Sequence, residues 1–137
     1  MKILIPTDGS AYSSNAARVA AKIALKHDYS LIVLHVVPDK GFSRKTWQNE
    51  GAENVVSAIV DILVSSGCAR ERIEILIEDG SAAEKIAEVA KNNGVDRIII
   101  GTQGRNGIKK LMGSVTEKVL QISDVLVLVV PPNYTAA

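Results

Sequence analysis

Five short runs of aliphatic, mostly β-branched residues recur along the chain: Ile3 to Ile5, Leu31 to Val37, Ile73 to Ile77, Ile98 to Ile100 and Val125 to Val130. All but the third are near-continuous rather than alternating, the pattern of strands buried on both faces. Each gap between runs has helical periodicity. Ala16, Ala20, Ile23 and Ala24 share one face of the first such segment, and Ala52, Val55, Val56, Ile59 and Leu63 one face of the second. In the third, Ala83, Ile86, Ala87 and Ala90 follow a capping-box pattern, Ser81 to Glu84, and the segment stops near Gly94. The fourth repeats the device with Ser114 and Glu117, and Val115, Val119 and Ile122 mark its buried side.

Strict β-α alternation over five strands, with crossovers of this length, dictates a parallel sheet covered by helices on both faces. The expected fold is therefore α/β, a Rossmann-like three-layer sandwich with strand order 3-2-1-4-5. Ligands in such folds bind at the carboxyl ends of the strands, where the strand order reverses, here between strands one and four. Those ends are Pro6-Thr7-Asp8-Gly9-Ser10 and Gly101-Thr102-Gln103-Gly104, the two stretches least explicable as core.

A chain of 137 residues with 47% hydrophobic content can build one substantial core, so residues 1–137 read as a single domain. Lys plus Arg number 16 against 15 Asp plus Glu, a balance that gives nucleic acid or an anionic membrane no electrostatic reason to bind. Any anion site must be local. The only cysteine is Cys68, which excludes an intrachain disulfide and fits a reducing compartment. The first apolar run is broken by Pro6 and Asp8, too early for a signal-peptide core, and Val125 to Val130 falls far short of the ~20 residues of a membrane helix. A cytoplasmic protein is expected. Lys40 to Glu50, polar and containing Gly41, Phe42 and Trp47, reads as a mobile loop leading into the second helix.

After the fourth strand comes a glycine-rich loop, Gly101 to Ser114, that runs into a helix N-terminus. Backbone N–H groups and the helix dipole favour a phosphate there, and glycines permit close approach. Arg105, Lys109 and Lys110 add local positive charge. The same glycines could equally serve only as turns, with Ser114 capping its own helix. Asp8 has two readings as well, a ligand for ribose hydroxyls or part of the turn leading into the first helix.

Several motifs in this order resemble the universal stress protein family over essentially the whole chain. They are Ile3-Leu-Ile-Pro-Thr-Asp8-Gly-Ser10, Leu34-His-Val36-Val37, Gly80-Ser81-Ala-Ala-Glu84, and the loop Gly101 to Ser114 before a terminal apolar strand. The resemblance implies binding of ATP, or of ADP or AMP, with Mg²⁺ or Mn²⁺ carried by the phosphates. It implies that Gly104, Gly113, Ser114 and Val115 lie at the phosphates, flanked by Arg105 and Thr116. Gly101, with Thr102 and Gln103 beside it, would lie near the ribose. Pro6, Thr7, Asp8 and the backbone of Val36 would lie at the adenosine end. ATP-binding members have nine residues between the second and third loop glycines, whereas Arg105 to Met112 are eight, a shortening expected to favour AMP or ADP. The resemblance also implies a homodimer joined through the terminal strand, whose residues Val125, Leu126, Val127, Leu128, Val129 and Val130 are all apolar although the strand is an edge.

The remaining chemistry-bearing residues read as structural. His35 sits in an aliphatic strand as a satisfied histidine, and His27 complements the negative end of the first helix. Cys68 reads as a small core residue, and Phe42 and Trp47 as loop packing. No nucleophile, base and orienter set stands out, and no His, Cys or carboxylate cluster has metal-ligand spacing, so no dedicated catalytic apparatus is expected. Three functions stay open: a regulatory nucleotide-binding module, a homodimeric interaction protein on the same fold that has lost ATP, and a slow nucleotide hydrolase.

Overall fold

The chain forms ten elements in a computed structural model that describes residues 1–38, 46–103 and 112–135, with the backbone alone for residues 46–50. In order they are β1 (Lys2–Pro6), α1 (Ala11–His27), β2 (Ser30–Val37), α2 (Thr46–Ser65), a 3-10 turn (Arg70–Arg72), β3 (Ile73–Asp79), α3 (Ala82–Asn92), β4 (Arg97–Gly101), α4 (Ser114–Ile122) and β5 (Leu126–Val130). The strands form one sheet in the order β3-β2-β1-β4-β5, every neighbouring pair parallel.

The period of two in a strand sorts the aliphatic runs onto opposite faces. Ile3 and Ile5 join Leu31, Val33 and Ile99 under α1 and α2, while Leu4 joins Ile32, Leu34, Ile98 and Ile100 under α3 and α4. That is why β1, β2 and β4 read as continuous hydrophobic runs. On its buried side α1 carries Ala16, Ala17, Ala20, Ala21 and Ala24, small residues that let the helix lie close to the sheet. The approach is tightest at Gly101, where an added Cβ would stand 2.9 Å from both Cβ and O of Tyr12. A glycine at the end of β4 is thus demanded by helix–strand packing.

Several expectations change. β5 is covered unevenly: Val125, Val127 and Val129 pack against the α3–α4 core and Val130 is buried in the α1–α2 core, but Leu126 is 74% and Leu128 40% exposed. As an edge strand it lacks a helix over its outer half, and its unbroken apolar composition hid this. α2 begins at Thr46, ahead of the first periodic apolar residue, so Trp47 and residues up to Glu50 are helical rather than loop; Phe42 lies outside the described residues. Neither predicted capping box forms. Ser81 is the N-cap of α3 without a side-chain cap bond, and α4 is capped one residue early by Gly113, whose extended backbone makes Ser114 the first helical residue. The buried stripe of α4 is Thr116 and Val119, while Val115 and Ile122 are largely exposed. Thr116 takes the inward position because its hydroxyl donates to the carbonyl of Gly101 at 2.8 Å, which satisfies a polar group inside.

Among the described residues, no helix is long and apolar enough to cross a membrane. Cys68 is buried beside Leu63 in the α1–α2 core, and that burial pushes its thiol pKa up, as for a packing residue. His27 closes α1, where a positive charge suits the helix end, and meets the ring of Tyr29 edge-on.

Candidate functional site

The chain leaves β1 toward β2 on one side and, after β3, crosses to β4 on the other. The carboxyl ends of β1 and β4 therefore diverge and open a crevice. Its volume is about 450 Å³, within the range of small-molecule sites. Three walls enclose it. The first is the turn from β1 into α1, the second the last residues of β2 with the first turn of α3, and the third the end of β4 with the first turn of α4.

On the first wall, Pro6, Thr7, Asp8 and Ser13 face the crevice. Gly9, at φ 84°, lets the chain reverse here, a backbone conformation that other residues adopt at a cost. Asp8 Oδ1 accepts from the Ser10 amide at 3.0 Å and from Ser13 Oγ at 2.9 Å, and the Asp8 amide donates to Ser13 Oγ at 3.3 Å. Ser10 in turn caps α1 by accepting from the Ser13 amide. Asp8 thus builds the turn into the helix, as one of its two sequence readings has it, and it also lines the crevice. The Ser13 signal was legible only as a serine three positions beyond the cap.

The second wall holds Val36 with Leu34, Pro38, Ala82 and Ile86. It is apolar apart from His35. Sequence reasoning placed Val36 in the site but missed Ala82 and Ile86, because α3 periodicity shows which face is apolar and not that its first turn reaches past the sheet. His35 is satisfied as expected, its Nδ1 lying 2.8 Å from the carbonyl oxygen of Thr7, and the residue also lines the crevice.

On the third wall Gly101, Gln103, Ser114, Val115 and Thr116 line the crevice. The first intrahelical bond of α4 runs from the Glu117 amide to Gly113 O, so the amides of Ser114, Val115 and Thr116 form the open first turn. Partial positive charge collects there. The Gly113 amide donates to Thr102 O at 2.6 Å, tying together the two ends of the loop between them. Thr102 itself turns inward, with a buried hydroxyl that has no hydrogen-bond partner among the described residues. Gly104 and Arg105, like Lys109 and Lys110, lie outside the described residues.

Asp8 is the one carboxylate among the described lining residues. Ser13, Asp8 and His35 share the crevice but are wired separately: the serine bonds the aspartate directly, and the histidine bonds a backbone carbonyl. Among the described residues no group of His, Cys, Asp and Glu could hold a metal ion. The arrangement is suited to holding a ligand between an apolar wall and a helix N-terminus.

Sheet order, crevice and helix layers together define a doubly wound α/β protein of the Rossmann-like class. The model of the Universal stress protein family matches residues 1–131. The chain belongs to that family. A universal stress protein of Methanocaldococcus jannaschii is 32% identical, with 94% of this chain and 81% of that protein covered. The solved structure of the hypothetical protein MJ0577 is 31% identical with a TM-score of 0.84, covering 98% of this chain and 97% of that one. A universal stress protein solved in complex with cAMP shares the fold, with a TM-score of 0.80 at 24% identity over 97% and 98% of the two chains.

Proposed function

We propose that the crevice binds an adenine nucleotide, ATP, ADP or AMP, and that occupancy makes the protein a regulatory, stress-response module. The observation that supports this best is the opposition of two polar devices across one crevice. The Asp8–Ser13 turn offers acceptors suited to ribose hydroxyls, and the open first turn of α4 offers donors suited to phosphate. The wall of Leu34, Val36 and Ile86 suits a flat base. That the same fold occurs in a protein solved with cAMP is compatible with the reading, which rests on the crevice. Mg²⁺ or Mn²⁺ would arrive on the phosphates. Acid extraction of the purified protein, followed by chromatography of the supernatant, tests the reading. A co-purified adenine nucleotide is expected, and an empty extract together with no uptake of added nucleotide would overturn it.

A homodimer through β5 belongs to the same proposal. Leu126 and Leu128 project from an edge strand into solvent, and a two-fold axis along that edge would pair the strand with its own copy and cover both. A dimer that binds no nucleotide would favour the interaction-protein reading over the regulatory one. Slow hydrolysis is the weakest reading, since the Nδ1 of His35 is engaged by the Thr7 carbonyl while Ser13 donates to Asp8.

A further inference from the structure

We infer that two copies of the chain join β5 edge to edge in one register only, with Leu128 facing the partner's Leu128 on the two-fold axis and Leu126 filling a hollow beside the partner's Val130. The register presupposes the β5 homodimer proposed above and does not depend on the nucleotide.

Val130 O accepts from the Thr102 amide at 3.2 Å, so the backbone groups of Val130 point toward β4. The N–H and C=O of one strand residue point the same way, and those of the next point the opposite way. Leu126 and Leu128 therefore also spend their backbone groups on β4, where their register partners are Arg97 and Ile99. The amides and carbonyls of Val127 and Val129 face the open edge. Both ends of that edge are closed. Ser123 Oγ donates to Val125 O at 2.7 Å and accepts from the Val125 amide at 3.0 Å, which takes up the polar groups of Val125. Pro131, at the other end, has no N–H, and its carbonyl accepts from the Tyr134 amide at 3.1 Å and from Asn15 Nδ2 at 3.3 Å.

An edge with only Val127 and Val129 open is complementary to itself. In an antiparallel pair, Val127 opposite the partner's Val129 exchanges both bonds, and the two-fold axis repeats the exchange. A shift of two residues puts Val127 or Val129 opposite itself and leaves the other against Val125 or Pro131, so half of these bonds are lost. A shift of one residue sets outward groups against groups already used on β4.

Side chains give the same answer. By alternation Leu126, Leu128 and Val130 lie on the α1 face, where Val130 is buried but Leu126 is 74% and Leu128 40% exposed. Beside Val130 that face has a hollow of about 320 Å³, walled by Val19 and Ile23 of α1 and by Pro131 and Tyr134. With Leu128 on the axis, the partner's Leu126 lies against Val130 and over this hollow. Knob and hole stand on one edge, two residues to either side of Leu128, which is the arrangement a second copy fits. No residue from Val125 to Val130 is charged, so nothing repels at the axis, whereas β3, the opposite edge of the sheet, carries Glu74 and Glu78.

A cysteine scan reads the register directly. Cys68→Ala removes the native thiol, and Leu126→Cys, Val127→Cys, Leu128→Cys and Val129→Cys are then introduced singly and oxidised with diamide. Leu128→Cys should give roughly ten-fold more covalent dimer than the other three, because only a residue on the axis faces its own copy within disulfide reach. Sedimentation of the reduced variants verifies that each is still dimeric. Leu126→Ala, at a position exposed in the single chain, should leave the fold unchanged and raise the dimer dissociation constant about ten-fold. Strongest cross-linking at position 126, 127 or 129 would overturn the register and keep the β5 dimer, and unchanged dissociation of Leu126→Ala would overturn the hollow as its seat. A dimeric wild type with no cross-linking at any of the four positions, or a wild type monomeric at tens of micromolar, would overturn both the register and the β5 dimer and leave the nucleotide reading standing.

Discussion

Replacing Gly101 with alanine puts a methyl group in place of a hydrogen at the point where α1 crosses the end of β4. The new Cβ would stand 2.9 Å from Tyr12 Cβ, 2.9 Å from Tyr12 O and 3.0 Å from Tyr12 C, all well inside van der Waals contact. Gly101 does not have a left-handed φ, so the substitution carries no conformational penalty, and stiffening the unfolded chain would by itself stabilise by about 0.4–1 kcal/mol. The clash must therefore outweigh a small gain. Atoms of the first turn of α1 cannot yield independently, because Ser10, Ser13 and Asp8 hold that turn. Overpacking of this kind costs about 1–3 kcal/mol, or roughly 3–10 °C in melting temperature for a chain of this size. The helix would be pushed from β4, widening the crevice between Asp8 and Ser114 and weakening nucleotide uptake as well. Urea unfolding followed by circular dichroism measures the first effect. Tyr12→Ala should not rescue it, since the obstructing atoms are Cβ and main chain. Wild-type stability in Gly101→Ala, or full rescue by Tyr12→Ala, would refute the packing argument.

Two further outcomes follow from the same geometry. Thr116→Val removes the donor to Gly101 O while keeping shape, and should cost about 1–2 kcal/mol by denaturant unfolding, with Thr116→Ser recovering most of it. Leu126→Lys, at a position 74% exposed, should leave the fold intact but place like charges beside a two-fold axis, so that sedimentation at tens of micromolar shows a dimeric wild type and a monomeric variant. Two monomers, or two dimers, would remove β5 as the interface.

The fold was legible because its signal is redundant. Five aliphatic runs, four amphipathic segments and the parallel-crossover rule all give one layered sheet, and Ile3-Leu4-Ile5 needs two apolar faces whichever strand lies beside it. The crevice was legible at the level of strand ends, which is why Asp8, Gly101 and Ser114 were found. What failed was everything set by neighbours rather than by period. The edge position of β5 exposes Leu126 although its composition matches a central strand. Thr116 displaces Val115 from the inner side of α4 because a carbonyl there wants a donor. Gly113 takes the cap that a serine normally fills.

Adenine-nucleotide binding in the crevice between β1 and β4 is the central proposal. Titration calorimetry of the full chain with ATP, ADP and AMP in the presence of Mg²⁺, paired with Asp8→Ala and with circular dichroism to verify its fold, tests that directly. The wild type should take up at least one of the three saturably and one-to-one, and a folded Asp8→Ala should bind it clearly more weakly. No heat of binding for any of them up to millimolar concentration, or equal affinity in the two proteins, would contradict it.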